Sequence, residues 1–262
     1  MLPHYNLTSL DIANLYSNTP VKETKAIFSS ILTRDLITPQ TQQELLRWLD
    51  LITGQNYFAH KKQIVVHHDG LAMGAPSSGL IAEMFLKHIE HSHLTHLTQK
   101  HKIINYCRYV DDILIIFDPN HSNILEIIND FNSLHPKLQF TAETEKDYTL
   151  NYLYLSISRT PTGLNAAIFR KPTFTDTIKP FTSNHPTQHK YATVRYLYSR
   201  LNSYNLNQQE YQQELNIIHN IPHNNSFPIK PHKSPTETNK YLPTPHKNGL
   251  ASHISVGKLL TS

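Results

Sequence analysis

Cysteine is almost missing from this sequence: Cys107 is the single one in 262 residues, which excludes an intrachain disulfide framework and points to a reducing compartment. Long apolar runs are missing too. None approaches the roughly 18 residues of a membrane span, and the opening Met-Leu-Pro-His-Tyr has neither the basic region nor the apolar core of a signal peptide. The expectation is an intracellular chain with no membrane partner. Glycine is scarce as well, seven in all, so its gathering at Gly70, Gly74 and Gly79 marks a turn that needs it.

What is present is enough to fold: 39% hydrophobic residues support a real core. Charge is divided unevenly. Residues 1–160 hold 13 Lys and Arg against 16 Asp and Glu, whereas 161–262 hold 11 against 4. An acidic part that binds cations and a basic part that meets a polyanion would produce this split; so would a late set of cations that only solvates a surface.

Val21 to Leu36 and Pro39 to Ile52 read as helices, the second with Thr38 as N-cap and Leu45, Leu46, Leu49 and Ile52 on one face. A strand is expected over 63–68, and a helix over 80–98 with Leu80, Met84, Phe85, Ile89 and Leu97 inward. Residues 103–117 read as a β-hairpin with Asp111 and Asp112 at its tip. A helix over about 122–134 follows, with Leu125, Ile128, Phe131 and Leu134 in phase, and then strands at 137–143, 150–158 and 166–170. This order gives an α+β fold with a largely antiparallel sheet. From Pro186 the chain turns helical and basic. Tyr191, Val194, Tyr198 and Leu201 form a stripe, and Asn207-Gln-Gln-Glu210 resembles a capping box. After Pro222 it turns rich in Pro, Asn, Lys and His, as in a linker or tail.

Adjacent carboxylates inside an apolar hairpin repel each other and lose hydration, which would cost several kcal/mol if uncompensated. Oxygen-only ligands suit Mg²⁺; a plain solvated Asp-Asp turn is the alternative. Asp11 ends a short apolar stretch, with Tyr16 five residues on. Gly70-Leu-Ala-Met-Gly-Ala-Pro76 would let backbone approach a ligand closely and leads into a helix. His88, His91, His93 and His96 can share a helix face, but with Cys107 as sole thiol and no second ligand pair they do not read as a zinc site.

In order and spacing, Asp11, the turn at 70–78 and Tyr109-Val-Asp-Asp112 resemble the palm of a reverse transcriptase. Asp11-Ile-Ala-Asn-Leu-Tyr16, Gly70 to Pro76, Arg108-Tyr-Val-Asp-Asp112 and Ile168-Phe-Arg-Lys-Pro-Thr-Phe-Thr-Asp176 followed by Ser183-Asn-His-Pro186 are similar to the reverse transcriptases of Penelope-like retroelements, over about residues 5–226. The resemblance implies a right-hand palm over 1–160, a thumb-like helical region over 161–222 and a tail over 223–262. It implies an RNA-directed DNA polymerase in the nucleus, taking an RNA template, a DNA primer and deoxynucleoside triphosphates. Asp11, the Ile12 carbonyl and Asp111, supported by Asp112, would hold two Mg²⁺ (or Mn²⁺) ions about 3.5–4 Å apart. Tyr16 would exclude a ribose 2′-hydroxyl, and Gly70, Gly74 and Pro76 would support the nucleotide and template. Leu153 and Tyr154, in a hairpin over 150–157, would position the primer end. Arg170, Lys171, Lys179, His189, Lys190, Arg195 and Arg200 would track the duplex backbone, with salt-sensitive affinity.

Departures from the family pattern are Tyr152-Leu-Tyr-Leu155 where Phe-Leu-Asp-Leu is usual, and Ala75 where Ser is usual. Because the match starts near residue 5 and no GIY-YIG endonuclease region follows, the resemblance further implies a truncated copy without fingers, and a silent nucleic-acid-binding remnant as the alternative to a working enzyme.

Overall fold

The computed structural model describes residues 4–66, 69–161 and 163–228. These fall into two compact units, His4–Glu145 and the chain from Lys146 onward.

The first unit runs β1 (Asn6–Ile12), α1 (Leu15–Asn18), α2 (Val21–Arg34), α3 (Pro39–Gly54), β2 (Tyr57–His60), β3 (Gln63–Val66), α4 (Ser78–Lys100), β4 (Ile103–Tyr109), β5 (Asp112–Phe117), α5 (Ile124–Ser133) and β6 (Phe140–Thr144). Four strands form an antiparallel sheet in the order β4-β5-β1-β6. Strand alternation divides its residues between two faces. Leu10, Ile12, Ile113, Ile115 and Phe117 lie on the face that joins Phe85, Ile89, Ile127 and Phe131 of α4 and α5 in one core. Residues of opposite parity, Asp11 and Asp112 among them, lie on the other face. The acids therefore lie on the face of the sheet opposite the helical core.

Local chemistry explains most boundaries. Thr38 caps α3 by accepting from the Thr41 N–H, with Pro39 at the first helical position. Asn123 caps α5 in the same way through Glu126. Two expectations fail here. The apolar face foreseen for α3 is not fully buried, since no residue of that helix is; the helix packs on α2, and Leu49 lies half-buried against the core. Leu80 and Leu125 are 67% and 69% exposed. Ile81 and Ile127 are buried near those helix starts instead, while Phe85, Ile89 and Leu97 of α4 and Phe131 of α5 are buried as foreseen. The strand foreseen over 63–68 is present as β3, the second arm of a hairpin, β2–β3, and its last two residues lie outside the described ones. Its turn, Lys61-Lys62, is left-handed at both positions (φ 47° and 66°), the type I′ geometry that ordinarily selects Asn and Gly.

His101, buried at the end of α4, links Ser122 Oγ (2.9 Å) to Asp130 (2.7 Å). Ser122 is itself buried, so this Ser-His-Asp chain pins α5 to the end of α4 and has no access to a substrate.

The second unit contains a three-stranded antiparallel sheet, β7 (Thr149–Tyr152), β8 (Leu155–Thr160) and β9 (Gly163–Ile168), followed by α6 (Thr187–Lys190), α7 (Ala192–Ser203) and α8 (Gln208–Asn224). The single strand expected over 150–158 is a hairpin, as the family resemblance implied. Leu153 at its tip has φ 55°, which reverses the chain. The helix expected from Pro186 to Leu201 breaks at Tyr191 into α6 and α7. Leu197 and Leu201 of α7 pack on Ile218 and Ile221 of α8. Asn207 caps α8 by accepting from the Glu210 N–H (2.8 Å), as foreseen. α8 continues past Pro222, and Phe227 is buried against Phe181 and Tyr191. From residue 229 the tail expected over 223–262 lies outside the described residues.

Candidate active site

The strand register brings the three acids together. Asp11 is the cross-strand partner of Asp112, and the Ile12 N–H donates to the Asp111 carbonyl (3.0 Å). Tyr109 pairs with Asp112, so Val110 and Asp111 form a two-residue turn. Val110 has a positive φ (58°) while Asp111 does not, and a positive φ in a two-residue hairpin turn is one that glycine would ordinarily fill. A β-branched residue in that conformation is an outlier and costs about 1–3 kcal/mol. The turn that carries Asp111 is thus held against its own preference.

Electrostatics mark the same place. Burial, and then the charge of Asp111, push the Asp11 carboxyl above the ordinary aspartate range. An ionised Asp11 is unfavourable here, and a cation would relieve it. The donor set fits a hard divalent ion, since Asp11, Asp111, Asp112 and the Ile12 carbonyl offer oxygen alone. Among the described residues no group of three or more His, Cys, Asp or Glu side chains is arranged as a metal cage. An open carboxylate pair of this kind matches Mg²⁺, which completes its shell with water and substrate phosphates. His88, His91, His93 and His96 are strung along exposed positions of α4.

The glycine-rich turn divides in two. Gly70 is buried at φ 87°, and a Cβ there would stand 2.2 Å from the Ser17 carbonyl oxygen. Its close approach in this structure is therefore to the protein's own backbone at Ser17. Leu71 N–H donates to Tyr16 O (2.7 Å), and Asn56 Nδ2 donates to Gly70 O (3.1 Å). Asp69 accepts from the N–H groups of Gly70 and Val21 and pairs with Lys137. The turn thus fixes the chain around Tyr16, whose side chain is half-buried against the core. Gly74 (φ 89°) has open space around it, and Pro76 is exposed.

Three carboxylates around this framework carry a pH dependence. The Lys137 hydrogen bond chiefly holds Asp69 below its ordinary value, and the Lys100 hydrogen bond does so for Asp130. Burial alone would raise Glu83, but the hydrogen bond and charge of Arg108, with Lys87, outweigh it and hold it low. Groups with depressed folded pKa values contribute stability above their unfolded values, and that contribution is lost as pH falls through the folded ones. The urea midpoint should accordingly fall steeply from about pH 4.5 downward, and less steeply in Lys137→Met; a midpoint flat to pH 3 would contradict the assignment.

In the second unit the expected basic surface is smaller than foreseen. Arg170 and Arg200 are 18% and 13% exposed and converge on the buried Glu214 (2.5 and 3.9 Å). They hold the unit together and are not free to track a nucleic acid. Lys190 donates to Phe181 O (2.6 Å). Lys171, Lys179, His189 and Arg195 are exposed. Leu153 and Tyr154 form a hairpin tip, and the exposed Tyr154 ring carries Arg200 over its face (5.4 Å). Arg108, Glu83, Glu90 and Glu214 were not singled out as functional or structural partners by sequence. A lone Arg within an apolar strand, and a Glu on the apolar stripe of α8, are the signals that each needs an opposite charge.

A family model described as an animal helix-turn-helix domain matches residues 177–234, which include α6, α7 and α8. No curated protein matches the sequence. Among solved structures, apo telomerase from Candida tropicalis superposes with a TM-score of 0.53 at 12% identity, covering 86% of this chain and 42% of that one. Telomerase from Candida albicans in complex with a TWJ fragment of telomeric RNA gives 0.52 at 12% identity, covering 84% and 38%. The Sicinivirus 3Dpol RNA-dependent RNA polymerase gives 0.51 at 16%, covering 92% and 51%.

The fold is that of a nucleic-acid polymerase. The chain spans about half, or less, of the length of these polymerases. Within this fold β5 and β1, which carry Asp112 and Asp11, form the middle of the four-stranded sheet, with β4 and β6 at its edges. No described helix is long and apolar enough to cross a membrane.

Proposed function

We propose that the chain is the palm and thumb-like part of an RNA-directed DNA polymerase of the Penelope-like retroelement kind, joining deoxynucleotides to a DNA primer on an RNA template. The observation that carries this reading is the pairing of Asp11 with Asp112, beside Asp111 on a strained hairpin tip, within a polymerase-fold sheet. Asp11, Asp111 and the Ile12 carbonyl would hold Mg²⁺, with Asp112 in support. When bound, the two ions supply activation of the primer 3′-hydroxyl and neutralisation of the triphosphate. The chain's own residues orient the substrates. Tyr16, fixed by the Leu71–Tyr16 hydrogen bond, would face the sugar; Gly74 and Pro76 would support the base and template; Leu153 and Tyr154 would hold the primer end. Lys171 and Arg195 would contact phosphates through exposed cations.

The test is extension of a DNA primer on an RNA template with purified protein, deoxynucleotides and Mg²⁺. Extension by the wild type, reduced to background in Asp111→Asn/Asp112→Asn, is the expected result. The match of residues 177–234 to a helix-turn-helix domain favours a second reading, a binding module without turnover. Absence of extension with retained, salt-sensitive binding to an RNA/DNA duplex would select it.

A further inference from the structure

Arg108 is a cation in a strand of apolar neighbours, and its side chain is only 7% exposed. It pairs with Ile113 across the hairpin, which puts it on the helix side of the sheet. There its guanidinium is forked between two acids of α4. Nε donates to Glu90 Oε1 (2.6 Å) and Nη2 to Glu90 Oε2 (2.9 Å), while Nη1 donates to Glu83 Oε2 (2.8 Å). Glu83 and Glu90 are seven residues apart, two turns of one helical face. The Tyr106 hydroxyl completes the cluster by donating to Glu90 Oε1 (2.7 Å).

The same Nη1 also donates to the carbonyl of Val110 (3.1 Å). That carbonyl belongs to the peptide joining Val110, the left-handed residue of the tip, to Asp111. A conformation this unfavourable for a β-branched residue persists where its surroundings over-determine it, and the guanidinium is the group that grips it. Burial alone would ease the proton off Arg108, but the hydrogen bonds and charges of Glu90 and Glu83 outweigh burial and keep it charged.

We infer that Arg108 is a positioning residue: seated between Glu83 and Glu90, it ties the Val110–Asp111 peptide to α4 and so fixes Asp111 beside Asp11. The inference rests on reading those acids as the polymerase carboxylates. Because α4 begins directly after the glycine-rich turn, one rigid helix then carries both the turn's exit and the anchor of the acid tip.

Two variants separate this role from simple cementing of the fold. Arg108→Lys keeps the charge but cannot fork to both glutamates and the Val110 carbonyl at once. Arg108→Met/Glu83→Gln/Glu90→Gln removes all three charges together, so that no uncompensated carboxylate is left inside. Amide hydrogen exchange should rise roughly tenfold or more in the segment 106–113 and at Ile12 in both variants, with α2 and α5 within about twofold of wild type. In primer extension, kcat should fall about tenfold or more while KM for the deoxynucleotide stays within about twofold, and Arg108→Lys should retain more activity than the triple variant. Unchanged exchange at the tip, or a rise spread equally over α2 and α5, would overturn the inference. If the wild type extends no primer, the polymerase reading fails, and the exchange measurement still decides whether Arg108 holds the tip.

Discussion

Gly70→Ala should cripple the first unit, with a loss of about 4 kcal/mol or more in urea denaturation, in the exceptional tail for single substitutions. Two independent costs meet at this residue. Its φ of 87° is a conformation that an L side chain adopts only under strain. The added methyl would also stand 2.2 Å from Ser17 O and 2.7 Å from Ser17 C, and these are backbone atoms that cannot swing aside as a side-chain end could. Relief requires moving α1 or the turn, and either movement breaks the Leu71–Tyr16 and Asn56–Gly70 hydrogen bonds. Gly74→Ala supplies the control. It shares the left-handed backbone, at φ 89°, but nothing lies within 4 Å of its Cβ position, so it should lose only about 1–2 kcal/mol. Equal losses at the two glycines would mean that backbone conformation alone matters and that the contact with Ser17 does not hold Tyr16 in place.

That contrast shows what a sequence can and cannot disclose. Gly70 and Gly74 look alike in a linear motif, because the partner that distinguishes them, Ser17, lies far upstream. Signals that act over three or four residues were legible: Thr38 before Pro39, Asn207 before Glu210, and the apolar arms around Asp111 and Asp112 all yielded the elements they announce. So was the antiparallel α+β class. Where the chain breaks local rules, the reading failed for a physical reason. β2 gave no hairpin signal because Lys61-Lys62 occupies a turn that ordinarily advertises itself with Asn-Gly. Leu80 and Leu125 fit helical spacing as well as Ile81 and Ile127 do, and only the docked sheet chooses between them.

The basic half was the least legible part, since a cation's availability depends on partners that charge counting cannot see. Lys171 and Arg195 are exposed, whereas Arg170 and Arg200, equally basic in sequence, are consumed by one carboxylate. Glu214 lies 44 residues from Arg170 in the chain. Within α8 it sits among apolar residues, on the stripe that includes Ile218 and Ile221. A buried acid there would be untenable alone, and two guanidinium groups from β9's exit and from α7 make it tenable.

Glu214→Gln should therefore destabilise the second unit by about 3–5 kcal/mol, the usual cost of removing one partner of a buried ion pair. The amide can still accept a hydrogen bond from Arg170, but it cannot neutralise two converging guanidinium groups, whose charges would then repel at short range in a poorly hydrated place. Thermal melting and hydrogen exchange across α7 and α8 report the loss. Replacing the whole cluster tests the cause: Glu214→Leu/Arg170→Met/Arg200→Met removes the buried charges together and should recover most of the lost stability, because well-packed apolar side chains of similar size substitute for a buried ion pair at little net cost. If Glu214→Gln instead melts with the wild type, the cluster is solvated in practice, and Arg170 and Arg200 return to the set of cations free to meet a phosphate backbone. The salt dependence of duplex binding then discriminates. With the cluster intact, Arg170→Met and Arg200→Met should leave the slope of log K against log salt unchanged, while Arg195→Met should lower its magnitude by about one.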